Sequence, residues 1–174
     1  MSEIAFFDEA LDPAFARALV LDARRQLDQG SREWFTNFTW SEKIRRASHP
    51  VLIRTYDPRQ VAMICQQLEA KGVIEPGHEW RVTNTAWTRL AYIPWHNDTK
   101  HAEAVTVYLN EEWDPDWGGL FLWRDGANGA IHAKEPLFNT ALRNSGAVLH
   151  ATTPVMLDAP EPRFTVQLFR QDRD

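Results

Sequence analysis

The stretch YIPWHNDTKHAEAVTVYLNEEWDPDWGG, residues 92–119, sets a histidine and an aspartate one residue apart just before a segment that alternates as a β-strand does. Side chains at i and i+2 of an extended segment share a face, so His96 and Asp98 can reach one ion while Asn97 points away. The triplet alone is a weak signal, because HxD arises by chance in many chains. Its weight depends on a third ligand from elsewhere.

His150, in GAVLHATTPV, follows another short apolar segment about fifty residues later, as closure of a β-barrel around the first pair requires. Two imidazoles and one carboxylate make the facial triad of non-haem Fe(II) sites, which leaves positions open for cosubstrate and oxygen. His101 is too near the pair to supply the opposite wall, and His132, in AIHAKEP, reads as a loop residue. His96, Asp98 and His150 are therefore the candidate metal ligands.

From Trp80 onward the chain consists of short segments rich in Val, Thr, Trp, Tyr and Phe: RVTNTAWTRLAY, AVTVYLN, GGLFLWR, GAVLHA and PRFTVQLFR. Gly, Pro, Asn and Asp separate them, so they read as strands. Upstream, VLIRTY reads as a further strand and two helices open on Asp-Pro, at Asp12-Pro13 and Asp57-Pro58. Aspartate accepts exposed amide hydrogens at an N-cap, and proline suits the first helical position. Val61, Ile64, Cys65 and Leu68 fall at helical spacing, and Gly30 and Gly72 stand where C-terminal caps belong. No helix-length apolar stripe interrupts the later strands, which disfavours a parallel βαβ sheet. The pattern predicts a mainly β protein, an antiparallel sandwich or barrel with two N-terminal helices packed outside. One domain over residues 1–174 is expected, with helical support and a first strand over about 1–75 and a core over about 80–170.

With 19 Lys and Arg against 24 Asp and Glu, the net charge of −5 argues against a general nucleic-acid binder, which needs clustered cations. The densest basic run, Lys43-Ile44-Arg45-Arg46, is short and reads as a solvated face. Cys65, the single cysteine, excludes an intrachain disulfide and reads as a buried core thiol. The N-terminus carries acids where a signal peptide carries basic residues, and no apolar run is long enough to span a bilayer. These features predict a cytoplasmic location with no membrane partner. Trp34, Phe35, Phe38 and Trp40, in SREWFTNFTW, either line a substrate mouth or cover the outside of the sheet.

In PRFTVQLFR, Arg163, Thr165 and Gln167 alternate with Phe164, Val166 and Leu168. A polar face directed into a small barrel needs a partner; arginine matches a carboxylate bidentately, and Thr165 can add a hydroxyl from the same side. With WHND at 95–98, VYLNEEWDPDWGG at 107–119, EPLFNTALRN at 135–144, HATTPV at 150–155 and PRFTVQLF at 162–169, the chain resembles the Fe(II)- and 2-oxoglutarate-dependent dioxygenases of the prolyl 4-hydroxylase-like branch. The resemblance covers roughly residues 80–170. It implies a double-stranded β-helix, or cupin-like jelly roll, with iron on His96, Asp98 and His150. It further implies that Arg163 pairs with the distal carboxylate of 2-oxoglutarate and that Tyr108 supports that carboxylate. Two departures stand out. No Tyr-x-x-Gly segment precedes HxD, and Pro160-Glu161-Pro162 lengthens the approach to Arg163.

The activity so implied is hydroxylation of an unactivated C–H bond, coupled to O2 consumption and decarboxylation of 2-oxoglutarate to succinate and CO2. An intact Asp98 points to hydroxylation rather than halogenation. The substrate class stays open among free amino acid, small molecule and peptidyl residue. Trp87, Arg89, Trp95 and Trp117 lie near the motifs as candidates for the pocket wall, and an inward Arg89 would favour an anionic substrate. Two other classes remain on the sequence alone: a cupin-like non-redox metalloenzyme, and a non-catalytic metal- or partner-binding barrel.

Overall fold

The computed structural model describes residues 4–36, 50–126 and 129–171. In chain order these form β1 (Ile4–Phe7), α1 (Pro13–Asp28), β2 (Phe35–Thr36), β3 (Val51–Thr55), α2 (Pro58–Ala70), β4 (Glu79–Trp87), β5 (Ile93–His96) and β6 (Glu103–Tyr108). A 3-10 turn at Pro115–Trp117 precedes β7 (Phe121–Arg124), β8 (Ile131–Lys134), β9 (Ala141–Ser145), β10 (His150–Thr152) and β11 (Arg163–Gln171). Phe38, Trp40 and the Lys43–Arg46 run lie outside the described residues.

Both helices start as their sequences dictate. The Asp12 carboxylate accepts from the Phe15 amide, and Asp57 accepts from Arg59 and Gln60 while Gln60 returns a bond to the Asp57 backbone. This reciprocal capping box leaves fewer orphan amides in the first turn. Each helix ends on one capping residue, Gln29 or Lys71, followed by a glycine in the left-handed region, Gly30 at φ +62° and Gly72 at φ +69°. In α2, Ile64 and Leu68 are fully buried, whereas Val61 and Cys65 are half-buried against the core. The Cys65 thiol is therefore not the fully buried core group expected; burial still pushes its pKa upward, with a contribution from Glu69.

The strands form two antiparallel sheets, of order β1-β9-β6-β11-β4-β3-β2 and β5-β10-β7-β8. β11 sits at the centre of the larger one, hydrogen-bonded to β4 from Arg163↔Trp87 to Gln171↔Glu79 and to β6 from Thr165↔Tyr108 to Phe169↔Ala104. Alternation along β11 divides the interior. Phe164, Val166 and Leu168 join Leu19 and Val20 of α1 and Ile64 and Leu68 of α2 in one apolar cluster, while Arg163, Gln167 and Phe169 line a cavity on the opposite face. A two-residue period thus assigns one strand to both stability and site.

Two elements differ from the sequence reading. His132 belongs to the edge strand β8, paired only with β7, instead of a loop; its four residues are too few, and too exposed, to show an alternating pattern. Ile4–Phe7 forms β1, which extends the larger sheet beside β9. In the segment between α1 and β3, Trp34 is half-buried against the core with the Arg54 guanidinium over its ring at 5.6 Å, and Phe35 is exposed. Trp34 thus covers the sheet. No described helix is long and apolar enough to cross a membrane.

Asn139 ties the N-terminal segment to this framework. Its side-chain oxygen accepts from Leu11 N at 3.0 Å and its amide donates to Leu11 O at 2.7 Å, in a buried setting and at φ +56°. Asparagine tolerates that backbone region better than alanine does. Asn139→Ala is expected to lower stability by about 2 kcal/mol, read as a lower urea midpoint with an unchanged denaturant slope.

Candidate metal centre

Short-range geometry brings the three ligands together. His96 ends β5 and pairs with His150, the first residue of β10, so two imidazoles from segments far apart in sequence meet with ring centroids 4.3 Å apart. Each ring is held in the same way. His96 Nδ1 lies 2.8 Å from Pro94 O, and His150 Nδ1 lies 2.9 Å from Val148 O. A carbonyl can only accept, so each Nδ1 is the donor, and in the neutral ring this tautomer leaves the lone pair on Nε2. Both lone-pair nitrogens face Asp98: His96 Nε2 is 3.7 Å from Oδ1 and His150 Nε2 is 3.5 Å from Oδ2. The three donor atoms lie within 4.8 Å of one another, close enough for one cation to touch all three.

Asp98 lies beyond β5, and its position depends on a glycine that the motif reading missed. Asp98 N donates to Gly146 O at 2.9 Å, His101 N donates to Asp98 O at 2.8 Å, and Gly146 N donates to Ala102 O at 3.0 Å. A Cβ at Gly146 would collide with the backbone oxygens of His101 and Asp98. Only glycine lets the two loops approach this closely. In sequence it is an ordinary Ser-Gly turn.

The electrostatics suit a cation. Burial, followed by the neighbouring His96, holds the His150 pKa below its ordinary value against the opposing pull of Asp98. His150 is thus kept neutral, the form that binds metal. The donor set of two imidazoles and one carboxylate fits a divalent iron-type ion, with ring orientation fixed by the backbone carbonyls.

Arg163 occupies the same cavity, which measures ≈ 910 Å³. Its side chain is 2% exposed, and no carboxylate pairs with it among the described residues. Nη1 donates to Gly119 O, Nε has no hydrogen-bond partner among the described residues, and the guanidinium packs on the Trp87 ring at 4.6 Å and the Tyr108 ring at 5.7 Å. Burial pulls its pKa down to about 10, so it remains a cation at neutral pH. Burial also raises the Tyr108 pKa, which keeps the phenol protonated as a donor.

Three residues outside the motif ligands set Arg163 in place. Gly119, at φ +67°, leaves room where a Cβ would press on Arg163 Cδ at 3.1 Å. Asn110, almost fully buried, accepts from Phe164 N at 2.7 Å and donates to Pro162 O at 3.0 Å and to Glu161 at 2.8 Å. Glu161 in turn takes a forked pair from Arg24 of α1, at 2.6 and 2.7 Å. The lengthened Pro160-Glu161-Pro162 turn is thus pinned from two sides.

The other sequence candidates separate. Tyr108 and Trp87 line the cavity. Thr165 is fully buried and does not line it; its hydroxyl accepts from the Trp87 indole at 3.3 Å and orients that ring. Arg89, Trp95 and Trp117 lie off the cavity wall as well. The Arg89 guanidinium donates to Ala159 O at 3.0 and 2.9 Å, Trp95 stacks under Arg124 at 5.7 Å, and Trp117 packs edge-on against Trp113 at 5.6 Å. Proximity to a motif in sequence did not bring these three to the cavity: Trp95, next to His96 on β5, faces the opposite side of the strand, and Arg89 and Trp117 lie in turns outside the strands.

No family model matches the chain, and no curated protein matches it. Among solved structures it is similar to a prolyl-4-hydroxylase from Pseudomonas putida, at 21% identity over 99% of this chain and 94% of that chain, with a TM-score of 0.74. A prolyl hydroxylase from Trichoplax adhaerens, in complex with a hypoxia inducible factor oxygen degradation domain peptide fragment, gives 14% identity over 99% and 84%, with a TM-score of 0.76. The chain has a prolyl hydroxylase-like fold. The non-heme alpha ketoglutarate dependent epimerase SnoN from nogalamycin biosynthesis shares it, at 13% identity over 98% and 78%, with a TM-score of 0.66. The prolyl hydroxylase-like fold therefore carries more than one reaction, and this chain's chemistry has to be argued from its own residues.

Two outcomes follow. Gly146→Ala is expected to weaken Fe(II) or Zn(II) binding more than about ten-fold by pushing the Asp98 loop away, as titration calorimetry would register; unchanged affinity would remove Gly146 from this role. For the metal-free protein, the lowered His150 pKa means that the unfolded chain binds the proton more readily. Stability should be insensitive to this group above the ordinary imidazole pKa and fall as pH drops below it. Comparing Tm between neutral and mildly acidic buffer, with His150→Gln lacking that part of the drop, checks the sign.

Proposed function

We propose that the protein is an Fe(II)- and 2-oxoglutarate-dependent oxygenase that hydroxylates an unactivated C–H bond. The observation that carries this reading is the pairing, in one cavity, of a His-Asp-His donor set with a buried arginine that no carboxylate among the described residues neutralises. A buried cation without a counter-charge is expensive unless an anion arrives to share it, and a cosubstrate with a free carboxylate supplies one. The two facing sheets are read as a double-stranded β-helix.

In this reading the Nε2 atoms of His96 and His150 and the Asp98 carboxylate hold iron, while Pro94 O and Val148 O keep both rings in the binding tautomer. Arg163 grips the far carboxylate of 2-oxoglutarate, with Tyr108 at its side and Trp87 beneath. Thr165 acts one step back, by fixing Trp87. Bound together, Fe(II) and 2-oxoglutarate would supply an O2-dependent oxidation, in which O2 is the oxidant both for decarboxylation of 2-oxoglutarate to succinate and CO2 and for hydroxylation of the C–H bond. Ile53, Ile93, Phe121 and Leu149 line the same cavity and limit water around the reacting groups. Substrates of the peptidyl or small-molecule kind both fit a cavity of this size.

Adding Fe(II) and then 2-oxoglutarate to the oxygen-free protein should produce a visible metal-to-cosubstrate charge-transfer band. His150→Ala should abolish it, and Arg163→Ala should raise the 2-oxoglutarate concentration needed by roughly ten- to hundred-fold, the loss of a charge-assisted bidentate contact. Asp98→Ala should abolish succinate formation. Iron binding without a band would turn the reading to a non-redox metalloenzyme or a non-catalytic metal-binding barrel.

A further inference from the structure

The cavity face of the larger sheet is laid out in rows. The strand register places Arg163 beside Trp87, then Thr165 between Thr85 and Tyr108, then Gln167 between Thr83 and Thr106, and finally Phe169 between Arg81 and Ala104. Six residues of extended chain separate the first row from the last, a distance of roughly 20 Å. A five-carbon diacid at Arg163 cannot reach the last row.

That last row and the loop beside it are cationic. Arg81 and Lys100 both line the cavity and both are exposed. Neither makes an ion pair among the described residues; the Arg81 guanidinium lies over the Phe169 ring at 5.8 Å, and His101 packs against the same ring at 4.9 Å. Glu103, three residues after Lys100, is taken by Arg170 at 2.8 Å, and Glu79, two residues before Arg81 on the same strand, makes no ion pair with it among the described residues. Asp98, a candidate metal ligand, is the only acidic residue lining the cavity among the described residues. Between the two cationic ends the wall offers donors, the Thr106 hydroxyl and the Gln167 amide, whose side-chain oxygen already accepts from Thr85, while the Thr83 hydroxyl donates to Gln167 O at 3.5 Å. On a chain with net charge −5, this local excess of cations and donors is selective for anions.

We infer that Arg81 and Lys100 form a second anion site at the cavity mouth, which holds a carboxylate or phosphate group of the substrate while its reacting carbon is presented to the metal. The inference rests on the oxygenase reading above and specifies its substrate class as anionic. It also moves the role from Arg89, which is occupied by the Ala159 carbonyl, to two residues that sequence proximity did not mark. Arg81 and Lys100 are positioning and specificity residues, not catalytic ones.

The test uses the full chain, oxygen-free, with Fe(II) and saturating 2-oxoglutarate, so that Arg163 is filled before any probe is added. The charge-transfer band is recorded first, for the unaltered protein and for the Arg81→Ala/Lys100→Ala double variant. The band is expected in both at the same 2-oxoglutarate concentration. Calorimetry then compares the N-acetylated proteinogenic amino acids with their primary amides, and N-acetyl-O-phosphoserine amide with N-acetylserine amide.

In the unaltered protein the anionic member of at least one pair should bind about ten-fold more tightly, and the preference should vanish in the double variant and partly return in Arg81→Lys/Lys100→Arg. The pair that discriminates tells carboxylate from phosphate. A band with no anion preference in any pair, or a preference that survives the double variant, overturns this inference and leaves the oxygenase reading intact. Loss of the band in the double variant would place these residues in the cosubstrate site and also overturn it. No band in the unaltered protein is instead the failure of the oxygenase reading, and the substrate role falls with it.

Discussion

A guanidinium shut inside a protein without a carboxylate beside it is held at a cost, and the architecture around Arg163 is arranged to bear that cost. Two aromatic rings, Trp87 and Tyr108, give the cation polarisable faces, and one carbonyl, Gly119 O, gives it a hydrogen bond. None of these cancels the charge. The interior is therefore left with a standing demand for an anion, and the His-Asp-His cluster in the same cavity says what sort of anion is useful there. The cavity, the strand order and the pinned turn before β11 all serve to keep that one cation desolvated and aimed.

The central strand makes this possible because its two faces do different work. Phe164, Val166 and Leu168 bind the sheet to the helical residues of the main core, so the strand cannot shift register without exposing that whole apolar set. Arg163 and Gln167, on the other face, inherit that rigidity, as does Thr165 behind Trp87. A site on a central strand is positioned by the core behind it, which is more restrictive than any loop.

Precision at the metal cluster comes from close backbone approaches. Gly146 lets the Asp98 loop lie against the end of β9, and Gly119 lets β7's approach pass under the Arg163 side chain. Asn110 then joins the start of β11 to Glu161 and, through it, to Arg24 on α1. In this way the helical layer is wired to the Arg163 end of the cavity, although no described helix residue lines the cavity.

Much was legible from the residues alone. Asp-Pro starts and Gly stops fixed both helices, because capping is local chemistry. Two-residue alternation marked β4, β6 and β11, and the HxD triplet with His150 marked the ligand cluster that the fold then brought within 4.8 Å. Edge strands β1 and β8 were missed because a four-residue edge carries almost no pattern. The assignments of Arg89, Trp95 and Trp117 to the wall rested on nearness along the chain; the pleat turned Trp95 elsewhere, and Arg89 and Trp117 lie in turns that lead away from the cavity. What the sequence determined by itself was therefore whatever depends on spacing of a few residues: caps, periodicity and the shared face of His96 and Asp98. Strand pairing decided the rest, because which residues stand opposite each other across a sheet, such as Arg81 beside Phe169 or Gly146 against Asp98, depends on register between segments far apart. Local composition does not encode that.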